Sequence, residues 1–230
     1  MPLVKRIEFS DARRAITDPV TKFGGQPVWK ATPQWPLSRE TRNQMRFIGQ
    51  IAMTNDVFPN AEGQVVYLFM TDEEDYVDGT WEPNGGENAA IIQPSENVET
   101  PLAEVVEART GPTIQRYTKS LFSNKLKPKN VELSVTLVDI DEPATTLASQ
   151  QPNAENQQTE GDREDIQGNK IGGHPAYIQS EELPDDEETW QMLVQLDSTS
   201  VPFHLNFGDG GVGYVFVDEK FTKARLLWQC

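Results

Sequence analysis

A chain of 230 residues that is 37% apolar, with 16 glycines and 16 prolines, has the composition of a folded domain, which excludes wholesale disorder. Its 20 basic and 36 acidic residues give a formal net charge of −16, which argues against nucleic acid and anionic membrane surfaces as ligands, because both are bound through Lys and Arg. The single cysteine, Cys230, excludes an intrachain disulfide and a thiolate metal cluster, and apolar runs such as Val65 to Met70 are far shorter than the roughly 18–20 residues of a membrane-spanning helix.

Along the chain the charge comes in blocks. Residues 1–46 carry nine basic and four acidic side chains, 47–108 thirteen acidic and none basic, 109–130 six basic and none acidic, and 131–200 sixteen acidic against two basic. Met1 to Arg14 has no apolar stretch that could act as a secretory signal, so a cytoplasmic location is expected. Thr21 to Trp29 then presents a Gly24-Gly25 pair and Pro27, followed by an apolar strand at Phe47 to Ile51 and another at Val65 to Phe69. Between Thr71 and Asn88 lies an insertion holding Asp72, Glu73, Glu74, Asp75, Tyr76, Asp78, Trp81 and Glu82, before a strand at Ala90 to Gln93. Thr100 as N-cap, Pro101 at the first helical position, and the spacing of Leu102, Val105, Val106 and Arg109 predict a helix that ends at Gly111-Pro112. The spacing of Tyr117 and Leu121 predicts a second short helix over Gln115 to Ser123. Strict alternation returns in Val131, Leu133, Val135 and Leu137, and again in Trp190, Met192, Val194 and Leu196. Between these, residues 142–168 are polar and acidic and read as a linker or mobile loop. Phe203 to Phe207 and Tyr214 to Val217 flank Gly208-Asp209-Gly210-Gly211-Val212-Gly213 and predict a hairpin.

The chain echoes itself. Lys22-Phe23-Gly24-Gly25-Gln26-Pro27-Val28-Trp29 is answered by Lys170-Ile171-Gly172-Gly173-His174-Pro175-Ala176-Tyr177, then Gln50 by Gln195, Tyr67 by Tyr214, and Ala90 to Gln93 by Leu226 to Gln229. Preserved order with loop-sized length differences argues for two copies of one β-rich unit. The expected class is therefore α+β: sheet-rich, mostly antiparallel, internally duplicated, with a few short helices. Residues 1–141 would form the first copy with a helical connector, 142–168 the linker, and 169–230 the second copy, packed as one globular unit.

Lys-Phe-Gly-Gly-x-Pro with Trp35-Pro36, a Phe-x-x-Gln-Ile strand, and a closing Gly-Asp209-Gly-Gly-x-Gly-Tyr-x-Phe with Trp228-Gln229-Cys230 resemble the bacterial YwqG-like family, a domain of unknown function. The resemblance spans roughly residues 21–230 and departs at Asn60-Ala61-Glu62-Gly63, where the first copy lacks the Asp of the glycine loop. It implies a protein with no established catalytic residues, of a kind often encoded beside secreted polymorphic toxins as a candidate immunity protein.

No catalytic set stands out. The Gly208 to Gly213 string lacks the helix that would hold a pyrophosphate, the only histidines are His174 and His204, and neither the spacing of a zinc site nor a nucleophile elbow beside His204 and Asp209 is present. The chain is thus expected to be a non-enzyme without metal or cofactor. Its two dense acidic runs, Asp72 to Glu82 and Asp185-Asp186-Glu187-Glu188, do not fit a calcium loop and read either as solvated loops or as mimics of phosphate charge that dock on a basic protein, with Tyr76 and Trp81 tilting the first run towards recognition. The expected function is an immunity protein, or antitoxin, that occludes the active site of a basic toxin domain such as an ADP-ribosyltransferase or nuclease, acting as a monomer. The alternative is a small-ligand module using the groove between the two copies.

Overall fold

A computed structural model of the protein describes residues 3–94, 103–120, 123–142, 167–185 and 187–230. The strands are β1 (Val4–Asp11), β2 (Lys22–Gly24), β3 (Trp35–Pro36), β4 (Arg46–Ala52), β5 (Val65–Met70), β6 (Asn88–Gln93), β7 (Val105–Val106), β8 (Gln115–Ser120), β9 (Ser123–Asn130), β10 (Glu132–Ile140), β11 (Lys170–Ile171), β12 (Trp190–Asp197), β13 (Val212–Asp218) and β14 (Ala224–Gln229). Ten of them form one antiparallel sheet in the order β14-β13-β12-β11-β1-β10-β2-β4-β5-β6, and β3-β7 and β8-β9 form two small pairs. The sheet curls until its edge strands β6 and β14 come together, leaving between them a gap of about 30 Å³ lined by Asn88 to Ile91 and Ala224 to Leu226. It is a nearly closed barrel.

The expectation of an α+β fold is corrected by this: no helix occurs among the described residues, which are all-β. Of the first predicted helix, Thr100, Pro101 and Leu102 lie outside the described residues, and Val105–Val106 form β7 against Trp35–Pro36. Two adjacent β-branched residues favour extended backbone, and β3 supplies the partner that a local pattern cannot reveal. Instead of the second helix, β8 pairs with β9 in the register Gln115↔Asn130 to Lys119↔Leu126. Tyr117, which set the helical spacing, is 51% exposed, so it marks no buried helix face. Phe203, Leu205 and Phe207 are buried in alternation with exposed His204 and Asn206, but this extended segment is not a strand of the sheet, and its backbone bond from His204 N goes to Gln115 O at 2.7 Å.

The central strands of each copy are buried on both faces, hence their continuous apolar runs. In β5, Val66, Leu68 and Met70 enter the shared core inside the curl, while Val65, Tyr67 and Phe69 enter an outer cluster with Trp35. In β13, Val215 and Val217 enter the same shared core, while Val212, Tyr214 and Phe216 join Met192, Tyr177 and Trp190 in a second outer cluster. The two copies therefore share an interior and differ outside it.

No helix among the described residues is long and apolar enough to cross a membrane.

Candidate functional site

The two copies are held by one hydrogen-bond pattern. Gln50 Oε1 accepts from Val28 N at 2.8 Å, and Gln195 Oε1 from Ala176 N at 2.8 Å. Tyr67 Oη donates to Val28 O at 2.7 Å, and Tyr214 Oη to Ala176 O at 2.8 Å. Gln93 receives Ala31 N and donates to Thr32 O and Gln34, while Gln229 receives Gln179 N and donates to Ser180 O and Glu182. The two equivalent strand pairs even carry an irregularity at the same place, between Phe47 and Gly49 in β4 and between Met192 and Val194 in β12.

Burial raises the phenols of Tyr67, Tyr177 and Tyr214, that of Tyr67 to about 12. A phenol whose folded value lies above its unfolded value of 10.0 contributes stability that is complete below pH 10 and is lost as pH rises towards 12. A Tyr67→Phe variant is expected to lose about 1–3 kcal/mol at pH 8, because Val28 O and Lys30 N lose their partner. It should also lose less further stability than the parent between pH 10 and 12, as followed by urea denaturation.

Each copy also buries a lysine. Lys22 Nζ, with its side chain fully buried, meets Glu132 Oε1 at 2.5 Å; Lys170 Nζ, 1% exposed, meets Glu142 Oε1 and donates to His174 O at 2.6 Å. Glu142 Oε2 accepts from His174 N at 2.8 Å and lies 2.9 Å from His174 Nδ1. Burial pushes the Lys170 ammonium down, against the opposing pull of Glu142. The glycine pairs make room for the carboxylates: a Cβ on Gly25 (φ +63°) would strike Glu132, and one on Gly173 (φ +75°) would strike Glu142. Glu142, which the sequence places at the start of a linker, thus turns its side chain inward, where it is 5% exposed.

Beside this pair a cleft of about 400 Å³ opens on the outer face of the second copy, walled by Tyr177, Leu183, Trp190, Met192 and Phe216, with His174 and Glu181 contributing polar groups. Val57 and Phe58 of the first copy close one end. The indole nitrogen of Trp190 is buried and has no acceptor among the described residues.

The predicted acidic residues fall into two groups. Several are engaged within the fold: Asp72 Oδ2 lies 2.7 Å from Arg46 Nε, Glu73 accepts from Thr41 Oγ1 and Asn43 Nδ2, and Glu188 pairs with Lys223. Asp185 Oδ1 accepts the backbone N–H groups of Glu187 and Glu188, each at 3.0 Å, and shapes the turn. Glu74, Asp75, Asp78, Glu82 and Glu187 are exposed and form no ion pair among the described residues. Asp186 lies outside the described residues. Tyr76 is 82% exposed and donates to Asp78 Oδ1 at 3.0 Å, which raises its phenol, while Trp81 is 42% exposed.

The insertion is braced rather than loose. Val77 is buried, Asn88 Nδ2 donates to Thr80 O and Glu82 O, and Trp228 N donates to Trp81 O. Asn84 Oδ1 accepts from Arg225 Nε at 3.2 Å, and Asn84 Nδ2 donates to Pro184 O at 3.5 Å. This last contact sets the end of the insertion against Pro184, just before the second acidic run.

Sequence reasoning missed the two lysine–glutamate pairs and the cleft. The only signal was the lysine shared by both motifs, since its partners lie 110 and 28 residues away.

Among known protein families, the chain matches a domain of unknown function (DUF1963) over residues 21–230. No curated protein matches it.

Proposed function

For a chain that belongs to the DUF1963 family, we propose a non-catalytic role: a binding protein that docks a basic protein partner on the acidic face formed by its insertion and the 181–188 segment. The observation that carries this reading is the Asn84–Pro184 contact, which sets the end of the insertion, with its exposed Tyr76 and Trp81, against the start of the second acidic run. Unpaired carboxylates on such a surface steer a basic partner, and the aromatics offer the buried area that interface anchors supply. The net charge of −16 gives the steering its long range at low salt.

The finer reading is a YwqG-like bacterial immunity protein that covers the active site of a secreted polymorphic toxin. A toxin that handles nucleotide phosphates, such as an ADP-ribosyltransferase or nuclease, has the basic cleft this surface complements. Its site would comprise Glu74, Asp75, Tyr76, Asp78, Trp81, Glu82, Asp185 and Glu187. Asp72, Glu73 and Glu188, already engaged inside the fold, would shape the surface rather than meet the partner.

The test begins with a tagged pull-down from the native cells at about 0.1 M salt, where the screening length is about 10 Å. Recovery of one stoichiometric basic protein is expected. The triple variant Asp75→Asn, Asp78→Asn, Glu82→Gln should then associate at least about tenfold more slowly with that protein and show a flatter salt dependence. Association rates unchanged at every salt concentration would remove this face from the interface.

A further inference from the structure

The cleft of the second copy occupies a place that the first copy fills from its own chain. The glutamine ladder fixes the register: Gln93 bonds Ala31, Thr32 and Gln34, and Gln229 bonds Gln179, Ser180 and Glu182. The next residues are Trp35-Pro36 in one copy and Leu183-Pro184 in the other. Leu183 therefore stands where the first copy has an indole.

In the first copy that indole is fully buried. Its ring centroid lies 6.2 Å from Trp29, 6.4 Å from Phe47 and 5.3 Å from Phe69, and its Nε1 donates to Met45 O at 2.8 Å. The ladder and the matched strands pair these neighbours with Tyr177, Met192, Phe216 and Trp190, four of the walls of the cleft. The first copy also covers Trp35 with β7 and with Gly111, whose closeness leaves no room for a Cβ. The second copy has no counterpart of β7 among the described residues, and Leu183 is 36% exposed.

We propose that this cleft binds a small bicyclic aromatic amine, its ring seated where the first copy seats Trp35 and its cationic group beside Glu181. A volume of about 400 Å³ lies in the range of small-molecule sites and exceeds what the exchange of an indole for a leucine leaves empty, so ring and side arm both fit. The charge of the lining selects the cation. Glu181 is exposed at the rim and no Lys or Arg among the described residues lines the cleft; the nearby Lys170 ammonium is buried and held by Glu142. Tyr177 and Trp190 add ring faces that attract a cation. Anionic aromatics, nucleotides included, meet repulsion here.

The test titrates the full chain with tryptamine, watched by calorimetry and by amide chemical shifts. Saturable one-to-one binding is expected, with shifts concentrated at Leu183, Trp190 and Gln191 and absent from their counterparts in the first copy. Indole-3-acetate should bind at least about tenfold more weakly, and Glu181→Gln should narrow that gap. Leu183→Trp, which lends the second copy its own indole, should weaken tryptamine by at least about tenfold. Absence of saturable binding, shifts that map elsewhere, or a folded Leu183→Trp protein that still binds as the parent does would each overturn the proposal. The shift map decides the matter even where that variant does not fold.

Discussion

A Glu142→Ala variant is expected to lose about 3–5 kcal/mol of stability in urea denaturation, among the largest effects of any single substitution in the chain. The change leaves the Lys170 ammonium, 1% exposed, without its counter-ion, and also removes the acceptor of His174 N. Burial already pushes the Lys170 ammonium below its ordinary value of 10.5. An amine whose folded value is depressed holds fewer protons folded than unfolded just below that value, so stability rises with pH there. The variant should therefore recover part of its loss as pH climbs towards 10.5, whereas the parent, which keeps the pair, should recover less. Replacing both partners with apolar residues, Lys170→Met with Glu142→Leu, should restore most of the stability, since the expense lies in the unpaired charge. In the first copy Glu132 is 20% exposed at its side chain, so Glu132→Ala should cost less.

Trp35→Ala is expected to cost a further, independent 3–5 kcal/mol or so, read as a lower midpoint of denaturation with little change in slope. The indole is fully buried, touches three aromatic rings, and satisfies Met45 O. Its removal empties in the first copy the space that stands open in the second. Leu183→Ala, at a position 36% exposed, should shift the midpoint far less.

The two effects show which parts of the fold a reader of the sequence could reach. Alternation disclosed β10 and β12, short apolar runs disclosed β4, β5 and β13, and the echo of Lys22, Gln50, Tyr67 and Gln93 in Lys170, Gln195, Tyr214 and Gln229 disclosed the duplication. Those signals are local or repeated, and local signals survive in a string. The helices expected at Thr100 to Arg109 and Gln115 to Ser123 failed because their partners, Trp35–Pro36 and β9, are supplied by tertiary pairing that overrides a short periodic pattern. The candidate site divides the same way. The acidic runs were visible as charge, but nothing in the string tells that Arg46 takes up Asp72, that Lys223 takes up Glu188, or that Asn84 meets Pro184. The cleft was invisible for a different reason: the exchange of Trp35 for Leu183 becomes meaningful only when the glutamine ladder has aligned the copies residue by residue.

One strand binds the fate of both copies. The segment that runs through β10 supplies Glu132 at one end for Lys22 and reaches Glu142 just past the other end for Lys170, while β1, from the start of the chain, forms the neighbour of β11. A tandem repeat made of self-sufficient beads can shed, shuffle or multiply its units over generations. Here residues 167–230 on their own would lack both a flanking strand and the counter-ion of their buried lysine. The two copies are thereby mechanically inseparable: they differ on their surfaces, in Leu183 against Trp35 and in the longer connection after β5, but each needs the other to complete its sheet and its buried charge.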